Sequence, residues 1–236
     1  MSSLVFILSL TPVAYPAEIL VACASDLAPA QAALAESFQK LGSGKLKFVT
    51  GSSGMLARQI STGAPFDVFL SANVKYVEDL AASGAITRDS VIVYATGRLA
   101  LWSRDGKVQR LEDLRRKAVR HIAIANPKHA PYGVAAQQLL EKSGMWAAVR
   151  DRIVYGENVR QALQFAESGN ADVVLTAWSL LQGRGVLLPD NLHDPIEQAA
   201  GVVSRSRNAA EARRFVQFLR GSEGAAVLRQ FGFSPR

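Results

Sequence analysis

Short, wholly apolar runs alternate along the chain with longer runs whose apolar residues recur every three or four positions. The first spacing suits strands buried on both faces, the second suits helices packed over them. Ile19-Leu20-Val21-Ala22-Cys23-Ala24 is the first apolar run, closed by Ser25-Asp26. Leu27, Ala30, Leu34, Phe38 and Leu41 then carry helical spacing, which predicts one helix over 27–41 with Ser25 at its N-cap and Asp26 in its first turn. Strand 46–49, a helix from 55 through 60, strand 67–71 and helix 74–83 continue the series. Such alternation predicts a parallel, doubly wound sheet.

After Asp89 the pattern changes, with two strand-like runs at 91–95 and 98–102 interrupted by Thr96-Gly97. A second series follows: helix 111–117, strand 122–125, helix 133–143, strand 153–155, helix 159–167 and strand 172–176. Residues 189–195 are polar and loop-like, 199–203 read as a return strand, and helices 209–219 and 223–230 finish the chain. The expected fold class is α/β in two lobes, 18–92 plus 204–236 and 93–203, each a doubly wound, mostly parallel sheet flanked by helices.

The 236 residues, 49% of them hydrophobic, suffice for a substantial core. A net charge of +7 suits a nucleic acid, an anionic surface or an anionic solute. The local basic concentrations, at 110–120 and 205–214, interleave no aromatics in the manner of a nucleic-acid platform, so nucleic acid is not the expected partner. Residues 1–17 are uncharged and run from an apolar stretch at 4–10 into Ala14-Tyr15-Pro16-Ala17, the pattern of a secretory signal cleaved after Ala17, though without a basic leading region. No other segment is long and apolar enough to span a membrane. The single Cys23 excludes an intrachain disulfide. Leu20-Val21-Ala22-Cys23 mimics a lipoprotein cleavage box, but its use would remove the first strand, so a buried strand cysteine and no lipid anchor are expected.

Strand-to-helix corners recur at Ala24-Ser25-Asp26, Gly51-Ser52-Ser53-Gly54, Ala130-Pro131-Tyr132-Gly133 and Gly156-Glu157-Asn158-Val159. Ser and Gly there also serve as plain helix caps. In open α/β sheets, however, such corners lie at the carboxyl ends of the strands, where ligands bind. Hydroxyls of Ser25 and Ser53, with N–H groups around Ser53, Tyr132 and Val159, would make a dry site for a small dianion without a lysine or arginine. His129 has no carboxylate or cysteine at ligand spacing and reads as a loop histidine. Ser53 is not in a nucleophile elbow, and no P-loop lysine is present, so no enzymatic activity and no cofactor are expected.

Ala22-Cys23-Ala24-Ser25-Asp26-Leu27, Gly51 through Ile60, Gly63 through Ala72, Asn126-Pro127-Lys128-His129-Ala130-Pro131-Tyr132-Gly133, Glu157-Asn158-Val159-Arg160-Gln161-Ala162-Leu163 and Phe231-Gly232-Phe233 together resemble the periplasmic molybdate-binding proteins of ABC importers. The resemblance runs from Glu18 to Phe233. It implies a two-lobed, type II periplasmic-binding-protein fold with the ligand in the interlobe cleft. It further implies a periplasmic monomer that binds molybdate or tungstate and delivers it to a membrane permease. Carried across by position, Ser25 and Ser53 donate from side chain and backbone, Tyr132 and Val159 from backbone N–H, and Asp26 from its N–H alone. Molybdenum would enter only as the oxyanion, with no protein atom bonded to the metal. Some family members place a tyrosine hydroxyl on the oxyanion where this chain has Thr176, which makes Thr176 a further candidate donor. The alternatives are a sulfate or phosphate binder, Asp26 being the one obvious acceptor for a phosphate proton, and the effector domain of a regulator, which needs a helix-turn-helix that 1–17 cannot hold.

Overall fold

In the computed structural model residues 18–236 are described, and the secretory-signal reading of 1–17 lies outside them. The first lobe opens with strand β1 (Glu18–Ala24), a 3-10 segment Ser25–Ala30, helix α1 (Gln31–Lys40), β2 (Lys45–Gly51), α2 (Ser53–Ser61), β3 (Val68–Ser71), α3 (Val74–Ala82) and β4 (Ile92–Gly97). The single helix expected over 27–41 is divided. Pro29 lies inside the 3-10 segment and has no N–H to give a helix, so α-helical winding starts only at Gln31. Ala24, not Ser25, holds the N-cap position of that segment.

The second lobe contains β5 (Leu99–Ser103), β6 (Ile122–Ala125), α4 (Pro131–Lys142), α5 (Trp146–Val149), β7 (Ile153–Gly156), α6 (Val159–Ser168), β8 (Val173–Ala177), α7 (Trp178–Leu181) and β9 (Val186–Leu187). The helix expected over 111–117 is a 3-10 segment, Leu111–Arg115. The chain then returns through β10 (Ile196–Val202), α8 (Ala209–Arg220), α9 (Ser222–Gln230) and β11 (Ser234–Pro235) to the first lobe.

The six-stranded sheet runs β11-β4-β10-β3-β1-β2 and the five-stranded sheet β7-β6-β8-β5-β9. Each has a parallel trio, β2-β1-β3 and β7-β6-β8, followed by an antiparallel neighbour, β10 or β5. The trios are wired alike, with the earliest strand in the middle. Cys23 is fully buried in β1, as a strand residue of the core. Aromatic packing of Phe38 against Phe215, with ring centres 5.2 Å apart, joins α1 to α8 over one face of the first sheet.

Both crossing strands belong to the first sheet. β4 pairs antiparallel with β10 from Ile196 opposite Gly97 to Ala200 opposite Ile92. The chain therefore leaves the first sheet at Arg98 and returns between Leu187 and Ile196, rather than at the 92/93 and 203/204 boundaries expected. Two apolar runs in succession show that strands exist but not which sheet each joins, because pairing is a long-range choice.

Candidate functional site

The four corners meet at one cavity. Ser25 and Asp26 end β1, Gly51 to Ser53 join β2 to α2, Pro131 and Tyr132 open α4, and Asn158 and Val159 open α6. The room left for the centre of a water-sized body is about 10 Å³, close to the minimum for one such body. In this arrangement the cavity is too small for a sugar or an amino acid. No Lys, Arg or His is among the lining residues described, and Asp26 is their one acid.

Local rules place the donors. Asn158 caps α6 by accepting from the N–H groups of Arg160 and Gln161, both at 3.0 Å, which leaves the Val159 N–H uncommitted. Pro131 supplies the first residue of α4, a position that tolerates its missing N–H, and Tyr132 follows. Ser53 opens α2. The N–H groups of Ser53, Tyr132 and Val159 lie too early in their helices for an intrahelical acceptor, and none of them bonds to another described residue. Ser53 Oγ accepts from the Ala72 N–H at 3.0 Å, so the hydroxyl hydrogen remains available to the cavity.

Two other hydroxyls behave differently from expectation. Ser25 lines the cavity, but its hydroxyl donates to the Gly51 carbonyl at 2.8 Å. A hydroxyl has one hydrogen, so Ser25 cannot give that hydrogen to a ligand while it ties β1 to β2. Thr176 is fully buried outside the cavity lining, and its hydroxyl donates to the Val159 carbonyl at 3.1 Å. Its donor capacity supports the first turn of α6.

Asp26 stands where the lobes touch. Its Oδ2 accepts from Gln198 Nε2 at 2.8 Å, and its carbonyl accepts from the Ser179 hydroxyl of α7 at 2.7 Å. Burial pushes the carboxyl up from 3.8 to about 6, against the Tyr132 hydroxyl, its own and the Leu27 N–H, and Gln198, which favour the charged form. Asp26 Oδ1, Tyr94 Oη and Gln198 Oε1 are buried without hydrogen-bond partners. Burial, and then the Asp26 charge, raise both the Tyr94 and Tyr132 phenols well above their usual value. The Tyr132 hydroxyl reaches across the lobes to Gly97, where a Cβ would collide with it.

Sequence reasoning passed over Gln198, Ser52 and Ala72. A glutamine inside the apolar β10 run was a legible sign of a buried polar contact. Ser52 differs from Ser53 only in orientation, which the sequence does not show, and Ala72 acts only through its backbone. No group of three or more His, Cys, Asp or Glu that could hold a metal ion occurs among the described residues.

Residues 19–234 match the family described as bacterial extracellular solute-binding protein. The chain is 35% identical to the molybdate-binding protein ModA of Azotobacter vinelandii, over 93% of this chain and 91% of that one. It is 30% identical to the molybdate-binding protein ModA of Rhodobacter capsulatus, over 98% and 94% of the two chains. A solved structure of the Azotobacter vinelandii periplasmic molybdate-binding protein superimposes with a TM-score of 0.84 at 32% identity, covering 91% of this chain and 98% of that one.

Proposed function

This chain belongs to the family of bacterial extracellular solute-binding proteins, and we propose that it is the periplasmic molybdate-binding component of an ABC importer. It is a binding protein and not an enzyme. The observation that carries the reading is the convergence of the Ser53 hydroxyl and the first-turn N–H groups of α2, α4 and α6 on one small cavity with no cationic side chain among its described lining residues.

Three helix N-termini bring partial positive charge, and fixed N–H donors replace the hydration of a dianion without reorganising. Each charge-assisted bond contributes about 1.5–3 kcal/mol. Tungstate carries the same charge in the same tetrahedral shape and nearly the same size, so it binds as well. Phosphate keeps a proton at neutral pH that needs an acceptor, and Asp26 is the one carboxylate among the lining residues, whereas molybdate meets the donors with no proton to place. Sulfate has the charge and shape of molybdate but shorter bonds, and it meets the same donors less closely.

The closed form carries the ion as a monomer in the periplasm and releases it to a membrane permease when the lobes part. No helix among the described residues is long and apolar enough to cross a membrane, which fits a carrier that hands its solute to a separate pore. Calorimetric titration of the stripped protein with molybdate, tungstate, sulfate and phosphate in turn tests the assignment. Tight binding of molybdate and tungstate is the expected result. Tight sulfate binding, or no response to molybdate, overturns it.

A further inference from the structure

Beside α2 the lobes touch again, through residues that flank Ser53. The Gly54 N–H donates to the His129 carbonyl at 2.9 Å, and Ser52 Oγ lies 3.0 Å from His129 Nδ1. Ser52 is the N-cap residue of α2, a place where serine ordinarily bonds to its own helix, yet it makes no cap bond and turns to the other lobe. The approach at Gly54 is close enough that a Cβ would lie 2.8 Å from the His129 carbonyl oxygen and 3.0 Å from its Cα. Only glycine lets the two lobes meet there.

His129 is held from its own side. Its N–H donates to the Asn126 carbonyl at 3.2 Å, as does that of Ala130 at 2.9 Å, and the Asn126 N–H is tied to Gly156 at 2.7 Å. The far ring nitrogen faces Glu157 at 3.5 Å. The ring is thus presented by a loop braced against the corner that carries Val159, and its two partners flank Ser53.

We propose that His129 is a positioning residue that clasps the closed form: it joins Ser52 and Gly54 across the cleft, sets Ser53 toward the bound ion and governs how slowly the ion leaves. The proposal rests on the oxyanion-binding function above and adds a residue that never touches the ion. Capture occurs in the open form, before the clasp exists, so its loss acts on release alone. That separation of rates distinguishes a clasp from a general structural role.

Stopped-flow rates with molybdate decide the matter, with ligand-free melting temperatures measured alongside. His129→Ala is expected to release the ion about tenfold faster while association stays within about twofold, the scale of one or two lost hydrogen bonds. His129→Asn keeps an acceptor where Nδ1 stood and loses the contact to Glu157, and it is expected to restore release to within about threefold of the parent. In the Ser52→Ala background, His129→Ala should add less than it does alone. Release from His129→Ala at the parent rate overturns the clasp. So does a slowing of association together with a lower ligand-free melting temperature in both variants. A parent that binds sulfate and not molybdate instead overturns the assigned ligand, and the same rates measured with sulfate then decide the clasp.

Discussion

The two lobes repeat one wiring, a parallel trio with its earliest strand in the middle, and yet they meet the cavity with different chemistry. The first lobe offers a side chain: Ser53 Oγ is held by the Ala72 N–H so that its hydrogen is left over. The second lobe offers backbone, the N–H groups of Tyr132 and Val159, while its nearby hydroxyls are turned away. Thr176 donates to the Val159 carbonyl, and Tyr132 reaches toward Asp26. Helix geometry therefore fixes the donors of the second lobe whatever side chains stand there. In the first lobe, one side chain is itself a donor.

That contrast is broken most directly by deleting a backbone donor. Val159 is the first residue of α6, where proline is tolerated, and Asn158 before it is extended (φ −156°, ψ 174°), as a residue preceding proline prefers. Val159→Pro is expected to weaken molybdate binding by about a hundredfold with the helix intact, since a ring methylene replaces the N–H. Val159→Ala keeps the N–H and should cost less than about threefold. Equal losses in the two variants, read by calorimetry, would place the second lobe's contribution in its side chains after all. Next in size is Ser53→Ala, with a loss of roughly tenfold to a hundredfold in affinity. It also strips the Ala72 N–H of its acceptor, so ligand-free stability should fall by about 1–3 kcal/mol. An affinity loss without that destabilisation would contradict the Ser53–Ala72 bond.

Asp26 sharpens the comparison because it belongs to the first lobe and is buried by the second. Its folded value of about 6 lies above its ordinary 3.8, so the folded state favours the protonated form. The stabilising contribution is complete below about 3.8, declines as pH rises and is lost above about 6. Asp26→Asn cannot ionise and still accepts from Gln198. Its melting temperature is expected to exceed the parent's by about 5 °C at pH 8 and to match it at pH 4. A difference that is the same at both pH values would show that the carboxyl titrates normally.

Repetition made the corners legible in the sequence: four strand-to-helix turns with small or polar residues, each at the carboxyl end of an apolar run. The cavity brings all of them together, and the parallel trios follow from runs such as 19–24 and 122–125 that are apolar throughout. What stayed hidden depends on orientation. The sequence shows that Ser25, Ser53 and Thr176 have hydroxyls, but the direction of each hydrogen depends on Gly51, Ala72 and Val159, which lie far off in the chain or act through backbone. Likewise, β4 and β10 were recognisable as strands, while their membership of the first sheet depended on pairing with each other.

Thr176 gives the smallest effect and the finest test. It stands where some members of the resembled family carry a tyrosine donor, which makes it a further candidate donor in the sequence. Its hydrogen instead goes to a carbonyl in the first turn of α6, which the helix itself also supplies with a donor. Thr176→Val preserves shape and removes only that bond, so stability should drop by about 1 kcal/mol and molybdate affinity by less than about threefold. If affinity instead fell as far as in Ser53→Ala, the hydroxyl would have to turn from Val159 to the ion on binding. The second lobe would then contribute a side-chain donor like the first, and the division of labour between the lobes would disappear.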